Sequence, residues 1–389
     1  MNGSGSLQYW NSGERLFRIF EDRVYGDDFC PLSGWDEIKA PIEFPSFRVD
    51  VGPDDLSRYF YDFELENRTF DRAKELVSEL LSAREGRTLN TSEVLLAPGT
   101  TAAAAAAVIY AYRSGIRCMI ADPPVYFSYL RLAELLGMKL VLVPRTIADC
   151  DDPKPLSSTL RRLRHEPKLL ILTDPRYVLS SPLSLEMLSH ASRELSDFDT
   201  VIFDRAVDLS ETPPHQFDSI ATVVTLRSIG KSVTANASRL SAIIAAPKTI
   251  RGINRVAGWL YGSLDAAMIS LGVQVMLHNS FNESLKAVQS EVISQWRIAI
   301  ALLTSSRATV PRPVNGYLGH AILDLTGIGR YQLFQHLLRN NVHAMFGIHV
   351  GFQPIENREL VRINYLVDFR EALRRLNQFF VSQNRELRR

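Results

Sequence analysis

The chain has 389 residues, 46% hydrophobic and 22% charged, an ordinary globular composition with length for one large domain and a smaller one. Its 44 basic and 43 acidic side chains leave a formal charge of +1, so no basic field is expected to hold nucleic acid or an anionic membrane. The three cysteines, Cys30, Cys118 and Cys150, are scattered and form no CxxC, which points to a reducing, cytoplasmic setting rather than a disulfide framework.

The opening "MNGSGSLQYW" has no basic segment followed by an apolar one, so no secretory signal is expected. Residues 1–50 are aromatic and poorly periodic, with Tyr9, Trp10, Phe17, Phe20 and Trp35; they read as an N-terminal arm leading into a small domain. "FDRAKELVSELLSAREG" places apolar residues three and four apart before Gly86, the spacing of an amphipathic helix. Strands and helices then alternate. "EVLLAPG" is a strand that turns into the alanine-rich helix "TTAAAAAAVIYAY", which Arg113 interrupts before it is long enough to cross a bilayer. "RCMIADP", "KLVLVP", "KLLILTDP", "TVIFD", "ATVVTL" and "LSAIIAAP" are further short apolar runs, the earlier ones separated by helical stretches such as "YFSYLRLAELLG" and "SLEMLSHASREL". Runs apolar on both faces between helices describe an α/β fold with a mostly parallel, doubly covered sheet. Helical pattern continues to about residue 308, and "LGHAILDL", "VHAMFGIH" and "LVRINYLV" then suggest a small α+β C-terminal domain. The expected division is an arm over 1–50, a large domain over 51–285 and a small domain over 286–389.

In open α/β sheets ligands sit at the carboxyl ends of the strands, and the notable polar residues fall there. Gly99, Thr100 and Thr101 follow a strand and open a helix; open N–H groups, the helix dipole and two hydroxyls suit a phosphate, and equally a plain helix cap. Asp204 ends "TVIFD" and can cap, pair with an arginine or hold a proton on a buried ring nitrogen. Lys231 follows an apolar run, with Ser228 three residues before it and Arg239 eight after. An amine at a sheet end is either a surface lysine or one able to condense with an aldehyde. Together with the upstream Gly-Thr-Thr turn, the hydroxyl, amine and guanidinium suit a cofactor carrying both a phosphate and an aldehyde.

From about residue 50 to 380 the order of these motifs resembles the class I/II aminotransferases, the aspartate aminotransferase-like group of fold-type I pyridoxal 5'-phosphate (PLP) enzymes. The resemblance implies a large domain with a mostly parallel seven-stranded-type sheet flanked by helices, and PLP as cofactor. "LLAPGTTAA" resembles the phosphate turn, which assigns Gly99, Thr100 and Thr101 to cofactor binding. "DPPVYFSY" resembles the segment that stacks an aromatic on the cofactor ring, giving Tyr126. "FDRAVD" resembles Asp-x-x-Tyr, giving Asp204 for the ring nitrogen. "SIGKSVTANASR" resembles Ser-x-x-Lys…Arg, giving Lys231 as the catalytic Schiff-base lysine with Ser228 and Arg239 on the phosphate. "LVRINYLV" resembles the strand whose arginine grips a substrate α-carboxylate, giving Arg362. The resemblance also implies a homodimer with a shared active site, to which Tyr59 or Tyr61 would carry a neighbour's phosphate contact. No metal is implied. "HAMFGIHVGF" resembles the loop over the active site, so His343, Phe346 and His349 either touch a substrate or belong to a partly exposed strand and loop.

Two positions depart from the family. Its Asn-Pro-x-Asn-Pro-Thr-Gly loop appears as "DPRYVLS", with Tyr177 at the second asparagine, and the tyrosine of Asp-x-x-Tyr is Val207. Both ordinary donors to the ring's 3'-oxygen are thus replaced, with Tyr177 a candidate to supply one bond. Losing such donors raises the basicity of the imine nitrogen, so a protonated-form absorbance persisting above neutral pH is expected. Three functions follow in order: amino-group transfer from an amino acid to a 2-oxo acid through an external aldimine; a non-transaminating PLP reaction such as elimination, replacement, cyclisation, carbon–carbon bond formation or oxidation in specialised biosynthesis; and a catalytically silent PLP-fold binding protein.

Overall fold

The computed structural model describes residues 30–32, 63–179, 181–207, 221–233, 239–277, 281–303, 308–310, 320–353 and 355–386. The rest of the arm, including Tyr9, Trp10, Phe17, Phe20 and Trp35, lies outside them, as do Tyr59 and Tyr61. In chain order the main elements begin with β1 (Cys30–Pro31), α1 (Phe63–Glu85), β2 (Val94–Ala97), α2 (Thr100–Arg113), β3 (Cys118–Ala121), α3 (Phe127–Leu135) and β4 (Lys139–Leu142). They continue with α4 (Pro153–Arg162), β5 (Lys168–Thr173), α5 (Leu185–Ser192), β6 (Thr200–Arg205), β7 (Thr222–Ser228) and β8 (Ser241–Ala245). Next come α6 (Pro247–Leu260), α7 (Ala266–Leu277), α8 (Phe281–Leu302), β9 (Ala308–Thr309), β10 (His320–Thr326) and α9 (Arg330–Arg339). The chain closes with β11 (Val342–His343), β12 (Met345–Phe346), β13 (Arg358–Asn364) and α10 (Arg370–Glu386).

Seven strands form the large sheet in the order β2-β8-β7-β6-β5-β3-β4. Its neighbours are parallel except at β8, which runs against both β2 and β7. The expected mostly parallel, doubly covered sheet is present. β2, β3, β5 and β6 are buried along their whole length, which is why their sequences lack a polar alternation. On one face, α2, α3 and α6 enclose Leu169, Ile171, Ile202, Val224 and Ile243. Gly252 lets α6 approach α2 closely: a Cβ there would stand 2.2 Å from the Tyr110 ring. On the other face, α4 and α5 cover Leu170, Leu172, Val201 and Phe203, while α1 and α7 cover Val94, Leu96, Ala242 and Ile244. Local chemistry ends the helices as the sequence suggests. Gly86, at φ +62°, follows α1, and Asp152 and Ser184 accept backbone N–H bonds at the starts of α4 and α5.

A second, antiparallel sheet runs β12-β13-β10-β9. Its core combines Leu323, Val361 and Ile363 with Leu333, Leu373 and Phe380, and it takes in Cys30 and Leu32. β1 reaches that core by pairing in parallel with β11, so the described stretch of the N-terminal segment packs with the C-terminal unit. The expected division after residue 285 falls inside α8. Phe281 of that helix packs with Val233, in the turn after β7, and Val275 of α7, whereas Val288, Val292 and Ala299 enter the small core. One continuous helix therefore braces both units. They also meet directly: the Val125 N–H donates to the Val350 carbonyl at 3.0 Å. Tyr177 and Val178 share an apolar cluster with Ile322, Met345, Val350, Phe352 and Leu360 at this junction. No helix among the described residues is long and apolar enough to cross a membrane.

Candidate functional site

The carboxyl end of β2 turns at Gly99, whose φ of +90° lies where L side chains rarely go. The residue opens α2 without a side-chain cap of its own, and the first-turn N–H groups of such a helix start suit an anion. A Cβ at Gly99 would lie 3.5 Å from Arg239 Nε, so the guanidinium arches over the turn. Arg239 itself has φ +46°, a conformation uncommon outside glycine. Ser228, last residue of β7, accepts the Lys231 N–H at 3.3 Å and faces Ser241 across the β7–β8 register. Lys231 begins a single helical turn, and its Nζ donates to Thr100 Oγ1 at 3.2 Å. The same Nζ stands 5.7 Å from the centre of the Tyr126 ring. Tyr126 OH is 3.3 Å from Thr101 Oγ1. Residues far apart in sequence thus share one end of the sheet: Gly99, Thr100, Thr101, Tyr126, Ser228, Lys231 and Arg239.

Asp204 sits in the same region but deeper. Its Oδ2 accepts from Tyr129 OH at 3.0 Å and its Oδ1 from the Ala206 N–H at 3.1 Å. Burial pushes its carboxyl above the usual carboxylate range, opposed by the Lys231 ammonium and these two bonds. A buried carboxylate in this state gains from a cationic N–H nearby. Ion pairs brace the loops around it. Asp174 Oδ2 accepts from Arg205 Nε at 3.0 Å and Nη2 at 2.7 Å, and the Asp174 N–H donates to the Asp204 carbonyl at 3.0 Å. Asp122 accepts from Arg145 Nε and, at 3.4 Å, from Arg176 Nη1. The Asp122 pairs are buried and the Asp174–Arg205 pair largely so, and losing one member of the buried pairs would leave a costly uncompensated charge. They tie the loop that carries Tyr126 to the loop that carries Tyr177, and that loop to the end of β6.

Arg362, buried on β13, donates from Nη1 to Tyr177 OH at 2.7 Å. Tyr177 is buried beside two rings, Tyr126 at 5.7 Å and His320 at 6.2 Å between centroids, both edge-on. Burial raises the Tyr177 phenol above its ordinary pKa, and the Arg362 charge opposes the shift. Burial drives the His320 imidazole well below its ordinary value, with the Arg362 and Lys231 charges adding to the effect, so His320 is neutral at physiological pH. Val207 is buried, and its carbonyl accepts the Ser232 hydroxyl at 3.3 Å.

Of the loop residues, Phe346 lies inside the small core. His349 Nδ1 accepts the Phe346 N–H at 3.0 Å, a structural cap, and His343 lies on β11 paired with β1. Sequence reasoning passed over Tyr129, Asp122, Arg145, Arg176, Arg205 and His320. Tyr129 stands three residues after Tyr126, one helical turn on, and that spacing was the available signal. His320 opens "HAILDL" with nothing local to mark it.

No family model matches the chain, and no curated protein matches it in sequence. Its fold does match solved structures. A Thermus thermophilus aspartate aminotransferase with maleate is 14% identical, with 96% of each chain covered and a TM-score of 0.69. A Methanococcus jannaschii protein similar in its active site to kynurenine aminotransferases is 16% identical, with 96% of each chain covered and a TM-score of 0.69. An Escherichia coli protein with a methionine aminotransferase function is 18% identical over 79% of this chain and 82% of its own, with a TM-score of 0.62. The fold is that of the aspartate aminotransferase-like, fold-type I proteins, as the sequence motifs led one to expect. At these identities the likeness is one of fold, and it spans proteins of different named substrates.

Proposed function

We propose that this protein is a PLP-dependent enzyme of amino-acid metabolism, and in first place an aminotransferase that passes an amino group to a 2-oxo acid. One observation carries the proposal. An amine, a buried carboxylate, an uncapped helix start under a guanidinium and a buried arginine converge at one end of the sheet, although they come from β2–α2, β6, β7–β8 and β13. The donor set fits the cofactor. The Gly99 turn, Thr100, Thr101, Ser228 and Arg239 suit its phosphate, Tyr126 its ring face, Asp204 its ring nitrogen and Lys231 its aldehyde. When bound, PLP supplies an aldehyde that condenses with an amine, with loss of water, and a ring that accepts the electron pair left when a bond to Cα breaks.

The chain's residues have distinct tasks in this chemistry. Lys231 Nζ anchors the cofactor at rest and, once displaced by the substrate amine, is placed to take the Cα proton. Thr100 Oγ1 fixes its direction of approach. Asp204 favours a protonated ring nitrogen, because a cation relieves the penalty its burial imposes on the carboxylate. Arg362 meets the α-carboxylate and so selects which Cα bond stands perpendicular to the ring. Tyr126 and Tyr177 exclude water from one side. The fold's likeness to aminotransferases supports a homodimer as the working form, and the near-neutral charge and scattered cysteines a cytoplasmic one.

A second reading, a non-transaminating PLP reaction, draws on the two departures. Tyr177 is engaged by Arg362, and Val207 offers the ring no side-chain donor. Altered contacts at the ring's 3'-oxygen change how the electron pair is used. The test is to incubate PLP-loaded protein with single amino acids and analyse the products. Stoichiometric oxo acid with pyridoxamine phosphate is the expected result. PLP retained alongside ammonia, peroxide or a cyclic product would replace transamination with the second reading.

A further inference from the structure

We infer that Tyr177 is the positioning residue for Arg362: it holds the guanidinium in place for a substrate carboxylate before substrate arrives. This deepens the proposed function and rests on it. The two residues lie 185 positions apart, one on the loop after β5 and the other on β13 of the small sheet, yet Nη1 and OH meet at 2.7 Å. An arginine side chain surrenders rotamer freedom when it grips a ligand, and a bond made beforehand removes that loss from the binding step. A phenol reaches farther than the carboxamide that the resembled family carries here. It also accepts the guanidinium N–H while keeping its own proton to donate.

The surroundings of Tyr177 are built to aim it. Its ring is fixed edge-on between Tyr126 and His320. His320 is neutral, so it sets no opposing charge against Arg362. The next residue, Val178, has φ +59° and is buried. A β-branched residue in the left-handed region persists only where its surroundings over-determine it. That constraint is visible: Asp174 is clamped by Arg205, Arg176 engages Asp122, and the Arg176 N–H donates to the Ser181 carbonyl at 2.7 Å. The loop from Asp174 to Val178 is a bracket, and the Tyr177 hydroxyl is its working end. On this basis Tyr177 serves carboxylate capture through Arg362, rather than the cofactor's 3'-oxygen.

The experiment uses PLP-loaded protein and amine-free probes, propionate and 3-phenylpropionate, with affinity read by calorimetry. Parent, Tyr177→Phe, Arg362→Lys and the double variant form a cycle. Tyr177→Phe is expected to weaken carboxylate binding about tenfold, while in the Arg362→Lys background it changes binding less than about twofold. The pH midpoint of the cofactor's visible band is expected to be the same in Tyr177→Phe as in the parent. A shifted midpoint with unchanged carboxylate affinity would overturn the inference, because the hydroxyl would then serve the ring. Equal weakening in both backgrounds would overturn it too. Should Tyr177→Phe fail to melt cooperatively, Tyr177→Asn gives the same comparison, and retained carboxylate affinity there would count against the inference. A parent protein that takes up no PLP would sink the function proposed above, and titration of the PLP-free protein would still read the coupling of Tyr177 to Arg362.

Discussion

The two ends of the site are made differently. At the end proposed for the phosphate, Gly99, Thr100 and Thr101 lie on one turn, and Ser228 and Lys231 on another; Thr100 is buried, while the Thr101, Ser228 and Lys231 side chains are wholly or partly exposed. At the end proposed for the ring and the carboxylate, Tyr177, His320, Arg362 and Asp204 come from separate strands and loops and are buried, with Tyr177 meeting Arg362 and Asp204 meeting Tyr129 through side chains. The first end depends on local backbone geometry. The second depends on the two sheets being held together, and each polar group there needs a partner because solvent cannot replace one. Substitutions at the carboxylate end should therefore cost more, and should couple to one another more, than substitutions in the phosphate turn.

Asp204→Ala should show the largest effect. It removes the charge proposed to favour a protonated ring nitrogen and leaves Tyr129 OH without its acceptor. The expected loss is on the order of 10²- to 10³-fold in the rate of the half-reaction with an amino acid, followed by the disappearance of the cofactor band in stopped-flow. Arg362→Lys follows. Replacing a planar, forked donor by a single ammonium should raise KM for the amino acid about 10- to 100-fold, with a smaller change in kcat. If these two cost no more than a substitution in the phosphate turn, the contrast between the ends fails.

Gly99→Ala probes the phosphate end. At φ +90° an alanine is strained, so the protein should lose about 1–2 kcal/mol of stability, read from urea unfolding of the PLP-free protein, while carboxylate affinity stays as in the parent. The smallest effect concerns His320. Its folded-state pKa lies well below the ordinary 6.5, so the unfolded chain binds more protons in acid. Stability is then fully present above about pH 6.5 and falls as the pH drops below it. His320→Gln should flatten the dependence of Tm on pH between 7 and 5, by at most one proton's worth. An unchanged slope would mean that the imidazole does not stay neutral in the folded protein.

The same contrast explains what could be read in advance. Strands buried on both faces, the glycine that must take a positive φ and the hydroxyl, amine and guanidinium spaced around Lys231 are local patterns, and the large sheet and the cluster at the Gly99 turn follow from them. The Tyr177–Arg362 bond spans 185 residues. Tyr177 was legible as a departure, but not as a partner of Arg362. The Asp122–Arg145–Arg176 and Asp174–Arg205 groups escaped for the same reason: a buried ion pair carries no periodicity, and each member alone resembles a surface charge. His320 opens an unremarkable strand, and only the register of β10 against β13 sets it near Arg362. No local break marks residue 285, which lies inside α8.

The central claim is that Lys231 anchors PLP. It is tested most directly by reducing the PLP-loaded protein with borohydride, digesting it with trypsin and locating the pyridoxyl label by mass spectrometry. The prediction is a single labelled peptide from Ser228 to Arg239, uncleaved at Lys231, and no such label in Lys231→Ala. Label spread over other lysines, or absent altogether, would contradict it.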